Sequence, residues 1–142
     1  MILWRLCRRP HADLSGEGGR LYPGRWHSAG RPIIYTAAEP ALAVLEVRAN
    51  LDLPFALLPD DYVLVQLETP PGLSLEEVPA LPPHPGTIGD EWLTARRTAL
   101  LRVPSIVVPQ ASNILINPLH PDAAQARITE ITSFSFDARL WS

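Results

Sequence analysis

"RPIIYTAAEPALAVLE", residues 31–46, changes character in mid-run. Its first half ends in Ile33, Ile34 and Tyr35, β-branched and aromatic residues of the kind that fill strands. Its second half is an apolar, helix-like run carrying Leu42, Val44 and Leu45. The change falls at Glu39 and Pro40, and proline at a first helical position sacrifices no hydrogen bond, because that N–H has no partner within a helix. The stretch predicts a strand over 31–37 feeding a helix from Pro40 to about Asn50. It also places a full negative charge, Glu46, on the helix face shared by Leu42, Leu45 and Ala49, the side expected to meet the core.

Outward from there the pattern stays mixed. "ILWRLC", residues 2–7, reads as a strand, followed by a glycine-rich loop reaching Gly30, a length that in compact domains tends to carry function. "DYVLVQLET", residues 61–69, alternates Tyr62, Leu64 and Gln66 against Val63, Val65 and Leu67, the mark of a strand. The densest cluster of the 16 prolines, "VPALPPHPG" at 78–86, predicts a surface excursion. A helix is expected over 90–101, strands in "SIVVPQ" (105–110) and "NILINP" (113–118), a short helix near 121–128 and a final strand in 131–141. Without a regular βαβ rhythm, these elements predict an α+β fold, one compact domain over 1–142 with mainly antiparallel sheets. "GEGGRLYPG" lacks the spacing of a dinucleotide fingerprint, which argues against a doubly wound nucleotide fold.

Composition removes several chemistries. All 12 basic residues are arginine, so Schiff-base lysines and phosphate-loop lysines are absent, and arginine forks are the permanent cations available to hold phosphate. Net charge is −3 with no basic run beyond two residues, which argues against direct nucleic-acid binding. One cysteine, Cys7, allows no internal disulfide and is expected to be a small buried hydrophobe. His11, His27, His84 and His120 lack metal-ligand spacing, so no metal is expected. The N-terminal charges at Arg5, Arg8 and Arg9 interrupt any leader or membrane-spanning run, and a cytoplasmic location is expected.

A carboxylate withdrawn from water needs a partner, and an arginine is the expected one for Glu46. Two readings of Glu46 stand: a structural ion pair or solvent-reaching side chain, and a carboxylate set in a cleft against a cationic transition state. Arg25, in "YPGRWHSAG", has Gly24 to turn the backbone and Trp26 to anchor it, a good holder for a pyrophosphate. Tyr35 by itself reads as a core residue with its hydroxyl at the surface. Cation, ring and carboxylate together are the parts needed to bind a dinucleotide by its phosphates and stack on its planar ring.

The ordered motifs "GRW..AGRPIIYTAAEPALAVLE", "VPSIVVPQASNILINPLHPDA" and "FDARLW" closely resemble those of RES-domain toxins from bacterial toxin–antitoxin operons, over essentially the whole chain. The resemblance implies a fold like that of the diphtheria-type ADP-ribosyltransferases and cleavage of the nicotinamide–ribose bond of NAD, by hydrolysis or phosphorolysis. NAD is then a substrate, and no cofactor is implied. It places the family's arginine at Arg25, tyrosine at Tyr35, glutamate at Glu46 and serine at Ser105, with Ser112 and Ser133 as alternative serines. Arg25 would hold the pyrophosphate, Tyr35 stack on nicotinamide, Glu46 stabilise the ribose cation, and Ser105 orient the substrate or Glu46. His27 departs from the asparagine common after "GRW". A cognate antitoxin with a DNA-binding helical domain, blocking the site, is the implied partner. Transfer of ADP-ribose to a protein, and a silent NAD-binding module, are the alternatives.

Overall fold

The structure is a computed structural model describing residues 1–142. Seven strands form one sheet in the order β4-β5-β6-β2-β1-β3-β7: β1 (Ile2–Arg8), β2 (Ile34–Ala37), β3 (Tyr62–Glu68), β4 (Leu75–Glu77), β5 (Leu100–Pro104), β6 (Ser112–Ile116) and β7 (Arg127–Ser133). Every pairing is antiparallel except that of β4 with β5, so the α+β class with a mainly antiparallel sheet is what the chain adopts. Three α-helices accompany the sheet: α1 (Glu17–Leu21), α2 (Pro40–Ala49) and α3 (Pro85–Ala95). No helix is long and apolar enough to cross a membrane.

The central strands of the sheet are buried on both faces. On one, Leu3, Ile34, Val63, Val65, Leu67, Leu100, Ile114 and Ile116 form a single cluster. On the other, α3 and the loop before β2 cover Leu101, Val103 and Leu115 with Trp26, Trp92 and Leu93, while α2 sets Leu42 and Ala43 on Leu6, Ala37, Tyr62 and Phe136. Alternation along each strand sends neighbouring residues to opposite faces, so Leu100 and Leu101 end in different clusters. Between β1 and β2 the ladder has one registered pair, Trp4 with Ala37, against seven between β1 and β3. α2 bridges this narrow join.

Several boundaries differ from the sequence expectation. The helix expected over 90–101 starts earlier, at Pro85 inside the proline cluster, and stops at Ala95, where Arg96 takes a left-handed φ of 53°. Residues 100–104, double-sided apolar and therefore helix-like in sequence, are β5 instead. The strand expected at 105–110 is a turn, and the last strand lies at 127–133 rather than 131–141. The glycine-rich loop contains α1, and β4 had no sequence signal strong enough to register.

Candidate functional site

Glu46 stands on the side of α2 that faces the end of the sheet rather than its core. Leu42 is 1% exposed and Ala43 6%, but Leu45 is 40% exposed, which corrects the expectation that Leu42, Leu45, Glu46 and Ala49 share an inward face. The buried stripe is displaced by one position, and Glu46 lies at its margin, half-buried. The expected arginine partner is also replaced. Asn113 Nδ2 donates to Glu46 Oε1 at 2.6 Å, and Ser105 Oγ donates to Oε2 at 2.9 Å. Each carboxylate oxygen thus receives one neutral donor, and no cation touches either.

The sheet explains why those two donors converge. Asn113 pairs with Ala37 on β2 and Val103 on β5, and paired residues present their side chains on one face. Ala37 is small, so the Asn113 amide rises past it towards α2. Ser105 is the first residue after β5, 2% exposed, and its Oγ also accepts from the Val108 N–H at 3.1 Å, which closes the turn that follows. Burial raises the Glu46 carboxyl above its ordinary value, while the Asn113 and Ser105 hydrogen bonds act in the opposite sense.

Tyr35 lies on the same face, two residues along β2 from Ala37, a spacing of about 7 Å. Its hydroxyl is not at the surface, contrary to expectation. It accepts from the Trp26 N–H at 3.1 Å and lies 2.7 Å from His27 Nδ1. His27 Nε2 faces the Gly19 carbonyl at 2.7 Å, where it can only donate, so Nδ1 is left to accept the Tyr35 proton. Burial pushes the Tyr35 phenol up to about 12. A Cβ on Gly24 would fall 2.6 Å from that hydroxyl, which is why the loop passes Tyr35 with glycine.

Arg25 sits on this stitched loop, exposed, with its positive charge near the Tyr35 hydroxyl. No acidic side chain pairs with it. Trp26 anchors its base as expected, 3% exposed, with its carbonyl pressed onto α3 at Gly89, where a Cβ would come within 1.6 Å of the oxygen. Asp90 of α3 fastens the far side of the loop by accepting from the Ser28 N–H at 2.9 Å. The result is an unpaired guanidinium on an anchored loop, suited to an anion.

Of the three candidate serines, Ser105 alone reaches Glu46. Ser112 begins β6 on the opposite face, and Ser133 ends β7 at the sheet's far edge, where Arg9 donates to it. Asn113 and His27 are the contacts that sequence reasoning did not assign. Asn113 had a signal, a polar residue opening an otherwise apolar strand, "SNILI". A concavity of about 580 Å³ lies on the other face against Ile34 and Ile116, and its lining holds no acid or arginine. No three His, Cys, Asp or Glu side chains converge to hold a metal.

Residues 2–137 match the model of a family described as "RES domain". A protein named "Toxin Res" from Pseudomonas putida is 40% identical over 148 residues, covering 99% of this chain and 100% of its own. A "Prs ADP-ribosylating toxin" from a Sphingobium species is 36% identical over 141 residues, covering 90% and 86%. Among solved structures, the crystal structure of the M. tuberculosis MbcT–MbcA toxin–antitoxin complex contains a chain with a TM-score of 0.73 at 15% identity, covering 94% of this chain and 84% of that one, a likeness of fold.

Proposed function

Because the chain belongs to the RES-domain family, we propose that it is the toxin of a bacterial toxin–antitoxin pair and acts by cleaving the nicotinamide–ribose bond of NAD. The observation that carries this reading is the Glu46 carboxylate, held by Ser105 and Asn113 on the same sheet face as Tyr35 and the unpaired Arg25 loop. Breaking the bond between ribose C1′ and the pyridinium nitrogen sends both electrons into the ring, so nicotinamide leaves neutral and needs no general acid. Positive charge grows on the ribose, and a fixed carboxylate beside it stabilises that charge without reorganising. Water then bonds to C1′ and gives up one proton, yielding ADP-ribose. Phosphate in place of water would give the phosphorolysis product.

Arg25 would hold the pyrophosphate. Ser105 acts by orienting Glu46. For Tyr35 the ring remains the stacking candidate, while its hydroxyl is committed to the loop. The name of the Sphingobium relative favours a second reading in which a protein replaces water as the ADP-ribose acceptor. A cytosolic enzyme that drains NAD must be restrained, and a cognate antitoxin carrying a helical DNA-binding domain is the proposed partner, closing the site by satisfying Arg25 and Glu46. With a net charge of −3 on this chain, DNA contact in such a complex would come from that partner.

The test is nicotinamide release from NAD by purified protein, with and without phosphate, alongside mass spectrometry of co-expressed proteins for added ADP-ribose. Growth arrest with falling cellular NAD on expression alone, relieved by the neighbouring reading frame and absent with Glu46→Gln, is expected. Harmless expression with unchanged NAD refutes the toxin reading.

A further inference from the structure

Asn113 is a fully committed donor and an uncommitted acceptor. Its Nδ2 has two hydrogens, one given to Glu46 Oε1 at 2.6 Å and the other to the Thr36 carbonyl at 3.2 Å. Both neighbours are acceptors, so the amide cannot be turned the other way without setting two oxygens against a third. Its Oδ1 accepts from no group in the chain. Nor is that oxygen sealed off, because the buried side-chain polar atoms left without a partner are Thr69 Oγ1 and Arg102 Nε. A free carbonyl oxygen therefore stands beside the Glu46 carboxylate, fixed by the same side chain that fixes the carboxylate.

A ligand group that satisfies this pair must present hydrogen-bond donors on neighbouring atoms, since carboxylate and amide oxygen are both acceptors. The vicinal hydroxyls of a nucleotide ribose have that form. We propose that Asn113 is both the residue that orients Glu46 and a substrate contact that reads the ribose, its Oδ1 accepting from a ribose hydroxyl of the nicotinamide half. This rests on the reading of Glu46 as the carboxylate facing C1′. Ser105 is less suited to the second task, because its hydroxyl proton goes to Glu46, one of its lone pairs accepts from Val108 and the residue is buried.

Two measurements on the whole protein separate the parts. The first uses no substrate: the Glu46 carboxyl is titrated by carbon NMR in glutamate-labelled protein, in wild type, Asn113→Ala and Asn113→Ser. Loss of the Nδ2 donor should move the Glu46 midpoint upward; an unmoved midpoint overturns the orienting role. The other ionisable side chains near by do not bond to Glu46: on α2, Arg48 is spent on the Leu140 and Leu51 carbonyls, and Glu39 and Arg102 line a recess on the opposite sheet face.

The second compares kcat/KM for NAD with that for analogues lacking one hydroxyl of the nicotinamide ribose. Wild type should reject one of these analogues by about tenfold, the worth of one hydrogen bond to a positioned acceptor, and Asn113→Ala should lose that discrimination. A residue that only supported the fold would lower both rates and keep their ratio, and that result overturns the ribose contact. Asn113→Ser, smaller and still polar, serves if Asn113→Ala melts early. Wild type that releases no nicotinamide at all refutes the NAD reading and the ribose contact with it, while the titration still decides the hold on Glu46.

Discussion

Replacing Glu46 by glutamine separates charge from shape. The amide retains one oxygen to accept from Asn113 Nδ2, and its nitrogen can donate to Ser105 Oγ once that hydroxyl turns, so neither partner is orphaned. Each hydrogen bond falls from the charged class, about 1.5–3 kcal/mol, to the neutral class, about 0.5–1.5 kcal/mol. Against that loss stands the burial of the carboxylate, which is the largest influence on Glu46 and drives its pKa up despite both bonds. A raised acid in the folded state means that ionisation opposes folding. Below the ordinary value of 4.5 both states are protonated and no penalty exists; as pH rises through the higher folded value, wild type loses stability that Glu46→Gln keeps. The variant is therefore expected to equal or exceed wild type in urea stability at pH 7.5, with the gap closing at acid pH. Its rate of nicotinamide release should fall a hundredfold to a thousandfold, about 2.7–4 kcal/mol of lost transition-state stabilisation. Urea titrations across pH and single-turnover assays with NAD give both numbers. A variant that cleaves NAD at the wild-type rate, or that is less stable by the same amount at every pH, refutes the assignment of Glu46 as a desolvated catalytic carboxylate.

Arg25→Lys, placed in the Glu46→Gln background so that NAD survives, should weaken NAD binding in calorimetry, because a point charge cannot reproduce the guanidinium fork on a pyrophosphate; equal affinities remove Arg25 from the phosphate site. Tyr35→Phe strips the partner from the Trp26 N–H and from His27 Nδ1, and should cost about 1–3 kcal/mol in urea unfolding even before activity is measured. Gly89→Ala forces a methyl into the Trp26 carbonyl, 1.6 Å from its ideal position, and should cost about 3 kcal/mol or more, visible as a lower urea midpoint and red-shifted tryptophan emission.

What could be read from the sequence was what local patterning determines. β1, α2 and β3 fall where their local patterns and the Glu39–Pro40 boundary place them. Around residue 100 the period fails: β5 is buried on both faces, so Leu100, Leu101 and Val103 show no alternation, and the helix signal of Trp92 and Leu93 appears to continue through them. At the site, Ser105 meets Glu46 across 59 positions and Asn113 meets it across 67, through strand register rather than through any spacing along the chain. An arginine was expected beside Glu46 on charge balance; two neutral donors and partial exposure serve instead. The Tyr35 hydroxyl was misread for the same reason, since its partners belong to a loop whose path depends on α3.

The narrow join between β1 and β2 makes the sheet two plates meeting along a seam. One plate carries β4, β5, β6 and β2, and the other carries β1, β3 and β7. α2 acts as a strut across that seam: it leaves β2, rests Leu42 and Ala43 on Leu6 and Tyr62 of the second plate, and returns Glu46 to Ser105 and Asn113 on the first. The end of the strut is tied to the C-terminal tail, with the Arg48 guanidinium 4.1 Å over the Trp141 ring. The hold of Ser105 and Asn113 on Glu46 therefore depends on how α2 seats on both plates at once, which makes the packing of Leu42 and Ala43 part of what aligns the carboxylate.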